Sequence, residues 1–242
     1  AALESLHAVV QRVACGEDEA GRVHAGGAPA LHEAQSIAVG QAAIDDERAG
    51  NDDELRPIRP RKPQRTGLTR AQILHAAIDT GIARAALDAA IDYLNTHSRA
   101  WIESGADRIV DEPHVIKQVG EFAAVVHAAE IVLDHAARTF DRQLADPEDE
   151  ALQTEAILAV AHARVQSDKA SLHVGAHLFD LLGASAVQEK FNLDRFWRNA
   201  RAHTTHDPIR WRLHTIGNHA LNGAVPIDFP LSPAARRAFL GE

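Results

Sequence analysis

Methionine is absent from all 242 residues, and the chain opens on Ala1. A processed or partial product is the expectation. Cysteine occurs once, at Cys15. A single thiol excludes an internal disulfide, and no CxxC or Cys/His zinc spacing accompanies it. The expectation is a reducing, cytoplasmic setting. Aromatic residues make up only 5%, which suits helices better than a β-sandwich, and no apolar strand pattern of period two is evident over residues 1–66. Positive charge is in deficit, with 25 Lys and Arg against 34 Asp and Glu for a net −9. No overall basic field exists to hold nucleic acid. No apolar run reaches the ~18 residues of a membrane span, and no basic flank precedes an apolar N-terminal core. Neither nucleic acid nor a membrane is an expected partner. GxGxxG, Walker, HExxH and GxSxG sequences are missing too. That leaves no Gly-rich nucleotide loop and no hydrolase context around Ser167, Ser171 or Ser185.

What is present favours helices. Hydrophobic content is 45% and charged content 24%, ordinary globular values. Alanine is abundant, and small side chains let helices approach closely. Residues 1–66 differ from the rest. Two short amphipathic segments, 1–13 and 30–43, are interrupted by Gly16, Gly21, Gly26, Gly27 and Pro29. An acidic block then meets a basic, proline-rich block up to Arg65, which reads as a solvated linker.

From Thr69 an apolar stripe runs through Ile73, Ala76, Thr80, Ala83, Leu87, Ile91 and Leu94 at helical spacing. Its helix is expected to end near Ser98 or Arg99. Asp111-Glu112-Pro113 reads as a second helix start, followed by Ile116, Val119, Ala123, Val126, Leu133, Ala137 and Phe140. Asp146 to Asp149 opens a third helix that runs to Gly183. A fourth, from about Pro208 to Leu221, closes the set. The predicted fold is all-α: an up-down four-helix bundle over 68–230, a poorly packed segment over 1–66, and a tail over 231–242.

The stretch from Gly183 to Asn222 holds the chemistry. Trp197 and Trp211 sit among Arg195, Arg198, Arg201, His203, His206 and Asp207. Flat apolar surface, fixed cations and titratable rings together suit a bound aromatic anion such as a flavin phosphate. A helix-capping segment with a basic solvated face accounts for the same residues. His203 and His206 stand three apart, and His173 and His177 four apart. Neither pair has a third ligand, so no metal is expected. In His203-Thr204-Thr205-His206-Asp207-Pro208, a neutral imidazole can give or take a proton near neutral pH. Asp207 is placed to orient a ring or act as a base. Pro208 is expected to fix the backbone at a helix N-terminus, which favours anions.

Residues 68 to 230 resemble the C-terminal helical domain of the acyl-CoA dehydrogenase superfamily. The residues that carry the resemblance are AQILHAAIDTGIARAALDAA (71–90), HSRAW (97–101), EPHVIKQVGEF (112–122), DLLGAS (180–185) and DRFWRNARAHTTHDP (194–208). The last is the most specific. The branch most similar is that of reduced-flavin-dependent monooxygenases acting on organosulfur compounds.

That resemblance implies a tetramer built around the bundles, with each flavin between a bundle and a β-domain and a neighbouring subunit contributing. It implies His206, supported by Asp207 and His203, as the catalytic group near the reactive ring, protonating or stabilising the flavin–oxygen adduct. Arg99 and Ser185 fall where the family contacts flavin phosphate or ribityl, and Gly183 and His206 join that cofactor-binding set. The implied cofactor is reduced FMN, supplied by a separate flavin reductase, with a small apolar or organosulfur substrate. An FAD-dependent acyl-CoA dehydrogenase with Asp207 as base is the alternative. There, His206-Asp207-Pro208 replaces the Tyr-Glu-Gly of many dehydrogenases, and His97 replaces an Arg. A third reading is a non-catalytic remnant that only oligomerises. The family's N-terminal helical domain and β-domain are not recognisable in residues 1–66. A truncated member, with an altered reading frame upstream of residue 68, is therefore expected.

Overall fold

The computed structural model describes residues 67–227, and all its regular elements are helical. The expected helices in 1–66, the linker and the tail over 231–242 lie outside the described residues. Three long helices make up most of the fold: α1 (Gly67–Thr96), α2 (Pro113–Ala145) and α3 (Glu150–Leu182). Two shorter ones follow, α4 (Asp194–His206) and α5 (Arg210–Asn222). No helix among the described residues is long and apolar enough to cross a membrane.

Local chemistry explains the ends. The Asp149 carboxylate accepts from the amides of Ala151 and Leu152, satisfying two orphan donors of α3. Gly183 closes α3 at φ 72°, and Gly223 closes α5 at φ 65°, backbone that L side chains resist. Pro113 opens α2 as expected, but Glu112 does not cap it. Its carboxylate reaches back instead to accept from the amide of Trp101, 2.5 Å away, and so ties down the connector.

The three long helices bury two apolar clusters. One gathers Leu87, Tyr93, Phe122, Val126, Leu178 and Phe196; the other gathers Ile73, Leu133, Phe140 and Val160. A polar layer lies between them, with Asp79, Thr80, Arg164 and Ser167 fully buried and Asp168 nearly so. The expected stripes hold in the middle of each helix and slip near some ends. Ile91 and Ile116 are exposed, and Ala90 and Val115 are buried in their place. Ala123 is exposed beside buried Phe122. In an alanine-rich helix several faces satisfy the apolar period equally, and the large side chains settle which one turns inward.

The fourth layer comes in two pieces. Its inner piece is α4, which buries Phe196, Ala200 and Thr204. Gly175 of α3 permits that contact, since a Cβ there would meet the Trp197 amide nitrogen at 3.1 Å. The expected helix over Pro208 to Leu221 exists as α5, but none of its residues is buried. It lies against the outside of the bundle.

Candidate functional site

The candidate turn is the end of α4. His203 and His206 occupy its last turn, three residues apart, yet they diverge. His203 faces the bundle with its side chain 8% exposed, and His206 faces solvent. This corrects one expectation. The histidines end α4 rather than opening the next helix, and a helix C-terminus favours cations, not anions.

The His203 ring enters a chain of polar groups. Its Nδ1 donates to Asp79 Oδ1 at 2.7 Å. Asp79 Oδ2 accepts from Arg164 Nη1 at 2.6 Å, with both side chains fully buried. Arg164 Nε donates to Gln72 Oε1 at 3.2 Å, while its Nη2 is buried without a partner. On the other side, His203 Nε2 lies 2.7 Å from His75 Nδ1. The His75 ring centroid is 4.6 Å from that of His203 and 5.9 Å from that of His206, the latter pair stacked. Burial, with the charges of His203 and Arg164, lowers His75 to about 4. Burial and the neighbouring Asp79 push Asp168 upward.

Asp207 follows in extended backbone, φ −126° and ψ 98°. Its Oδ1 is 3.8 Å from Arg212 Nη2, and its Oδ2 is buried without a hydrogen bond. That oxygen is shielded from solvent, whereas the neighbouring His206 imidazole is not. Pro208 sits in the turn before α5 and accepts from the Trp211 amide at 3.3 Å.

The remaining candidates are elsewhere. Arg99, Gly183 and Ser185 are all exposed, just beyond the C-termini of α1 and α3. Around them Lys190 covers the Phe191 ring at 4.7 Å, and His97 stacks on Tyr93 at 5.1 Å. Arg195 lies over Phe196 at 4.1 Å, and Arg198 pairs with Asp194 at 2.7 Å. The length of α1 between Asp79 and Thr96 spans about 26 Å at 1.5 Å per residue. His206, beside His75, and Arg99, beyond the end of α1, are therefore well separated within one chain.

His173 and His177 have rings 4.9 Å apart, and His177 pairs with Asp180 at 2.9 Å. No group of three or more potential ligands that could hold a metal occurs among the described residues. The hydroxyls of Ser167 and Ser171 are occupied by backbone carbonyls of their own helix. Sequence reasoning missed Gln72, His75, Asp79 and Arg164. The available signal was that Asp79 lies one turn after Ala76 and one turn before Ala83, and Arg164 one turn after Val160, on the buried faces of their helices, where charged groups require partners.

Residues 73–211 match the family described as acyl-CoA dehydrogenase, C-terminal domain. The chain is 33% identical over 162 residues to dibenzothiophene monooxygenase from Rhodococcus erythropolis, covering 65% of this chain and 38% of that protein. It is 33% identical over 158 residues to the probable FMNH2-dependent monooxygenase SfnC of Pseudomonas putida, covering 64% of this chain and 40% of that one. FMN-bound TdsC from Paenibacillus sp. A11-2 superposes with a TM-score of 0.65 at 29% identity, over 67% of this chain and 41% of that chain. The chain thus spans about two-fifths of the length of the curated relatives it matches.

Proposed function

The chain belongs to the acyl-CoA dehydrogenase C-terminal domain family, and from that premise we propose that it forms the helical wall of a flavin-dependent monooxygenase site. Reduced FMN is the cofactor this reading assigns, with FAD a minor alternative, and an organosulfur or other small apolar molecule is the substrate. Three relatives support it: a dibenzothiophene monooxygenase, an FMNH2-dependent monooxygenase and an FMN-bound structure. When bound, reduced FMN supplies the electron pair that activates oxygen.

The observation that carries the reading is the α4 turn. It presents an exposed imidazole, His206, next to an unpartnered buried oxygen of Asp207. In this assignment His206 faces the flavin ring and gives or takes the proton there. Asp207, beside Arg212, supports that imidazole. His203 does not touch the flavin; it holds its place through Asp79 and His75. Arg99 and Ser185, with Gly183 shaping their turn, take the phosphate and ribityl chain. They are exposed and cationic or hydroxylic, which suits an anion.

The separation along α1 supports giving the last two assignments to a neighbouring copy's flavin. A homotetramer in which each flavin draws His206 from one subunit and Arg99 from another satisfies both. The proposed setting is cytoplasmic, with a separate flavin reductase as supplier. Within this arrangement 68–230 acts as the bundle domain, 1–66 as its lead-in and 231–242 as a tail.

The test is a titration of the purified chain with FMN, followed by flavin fluorescence, with His206→Ala as control. Saturable binding that His206→Ala weakens at least tenfold is expected. Binding unaffected by that change, or no binding at excess FMN, overturns the assignment. Substrate oxygenation that requires both oxygen and a flavin reductase is the expected activity. Reduction of bound flavin by an acyl-CoA thioester without a reductase would instead select the dehydrogenase.

A further inference from the structure

We infer that Asp79, held by Arg164, is a positioning residue that fixes the tautomers of His203 and His75 and makes the pair a store for one proton behind His206. The geometry leaves little choice. An ionised carboxylate only accepts, so His203 Nδ1 carries a hydrogen toward Asp79. In neutral His203, Nε2 is then the acceptor. The 2.7 Å contact to His75 requires His75 Nδ1 to donate. That leaves His75 Nε2 with a lone pair. No protein group hydrogen-bonds to it among the described residues, and the His75 ring is stacked with that of His206 at 5.9 Å.

Loading the store balances atom for atom. A proton arriving at His75 Nε2 forms an N–H bond there. The His75 Nδ1 hydrogen passes to His203 Nε2. His75 ends neutral in its other tautomer, with Nδ1 now the acceptor. His203 ends as an imidazolium donating through both nitrogens, to Asp79 and to His75. The charge rests on the ring next to the carboxylate rather than on His75, which burial disfavours as a cation.

Every packed element bears on the site. From α1 come Asp79 and Gln72; from α3 come Arg164 and Asp168; from α4 come Arg201 and His206; from the turn comes Asp207, itself near Arg212. Arg164 neutralises Asp79 but also opposes a second positive charge. A second proton, on His75, is therefore disfavoured. If the α4 turn faces a flavin as proposed, this pair stands directly behind the ring of His206 and holds its local charge fixed. The placement itself requires no flavin.

The experiment is a pH titration of the full chain, uniformly labelled with nitrogen-15 and free of flavin, reading histidine ring tautomers by long-range proton–nitrogen correlation spectra. At neutral pH both His203 and His75 should show Nδ1–H with a bare Nε2. On acidification His203 should become the imidazolium while His75 switches to Nε2–H, the two changes sharing one midpoint. Asp79→Asn offers one acceptor oxygen, for which Arg164 competes. It should convert the single His203 tautomer into a mixture and uncouple the two midpoints. His75→Gln, at a half-buried position that tolerates exchange, should leave His203 as Nδ1–H and remove the tautomer switch. His203 as Nε2–H at neutral pH, His75 charging first, or two independent titrations in the unaltered chain would each overturn the inference. A failure to bind FMN would leave these spectra unchanged, so the two readings fail separately.

Discussion

At the end of the bundle where α1 and α3 terminate, Arg99 and Ser185 stand in solvent and the nearby cations lean on aromatic rings or on carboxylates one turn away. About 26 Å along α1, Asp79 and Arg164 are wholly removed from water and joined to Gln72, His203 and His75. The difference is one of cost. An exposed cation keeps its hydration and is held by little, so it is available to a ligand. A buried ion pair has given up hydration, and it persists only because every neighbour is in place. The first arrangement suits binding; the second suits holding a side chain in one orientation.

Breaking the buried region should have the largest effect. Arg164→Leu leaves Asp79 uncompensated in the core and should lower stability by about 3–5 kcal/mol in urea denaturation. Asp79→Leu combined with Arg164→Leu should recover most of that loss while abolishing the fixed His203 tautomer. If the double variant is no more stable than the single one, the pair is not acting as a unit.

Gly175→Ala comes next. Its Cβ would press on the backbone of α4 at 3.1–3.3 Å, and the expected cost is about 1–3 kcal/mol. Because α4 carries both histidines, His203–Asp79 contact should loosen as well, visible as a broadened His203 ring signal.

The third prediction concerns pH. His75 is lowered from 6.5 to about 4 in the folded chain, so the unfolded chain binds more protons between those values. This shift costs nothing above pH 6.5, becomes a growing penalty as pH falls through that window, and reaches its full size below pH 4. Allowing for solvent screening of a half-buried ring, the loss is about 1–2 kcal/mol. His75→Gln should remove this part of the acid sensitivity, and denaturation midpoints at pH 7 and pH 4.5 check it.

The smallest effects belong to exposed side chains in either region. Arg99→Ala and His206→Ala should each change stability by no more than about 0.5 kcal/mol, while lowering affinity for FMN. A loss at Arg99 or His206 as large as that of Arg164→Leu would erase the contrast between exposed and buried charge.

The sequence made much of this legible, for physical reasons that differ by residue. Asp149 and Gly183 act through local backbone chemistry, which short-range patterns carry directly. The middle of each stripe, such as Ala83 and Leu87 or Val126 and Leu133, was readable because large apolar side chains recur there. Ile91, Ile116 and Ala123 misled because alanine satisfies the helical period on several faces at once. The segment over 194–206 was too polar to be seen as a packed helix, since three buried residues, Phe196, Ala200 and Thr204, suffice to seat it against Gly175. The motif around His203 and His206 was found, but its division into an inward ring and an outward ring depends on Asp79 and Arg164, respectively 124 residues before and tens of residues before it in the chain. No local pattern encodes that pairing. The separation of Arg99 from His206 is likewise a property of helix length, invisible in a list of site residues.

The proposed sharing of a flavin site between subunits can be examined most directly by mixing. Arg99→Ala and His206→Ala chains, each weakened in FMN binding, are combined under conditions that allow subunit exchange, and flavin uptake is measured. The account predicts that mixed assemblies recover sites with the affinity of the unaltered chain, because an intact Arg99 from one copy and an intact His206 from another then face the same flavin. Uptake no greater than the average of the two separate variants would contradict it.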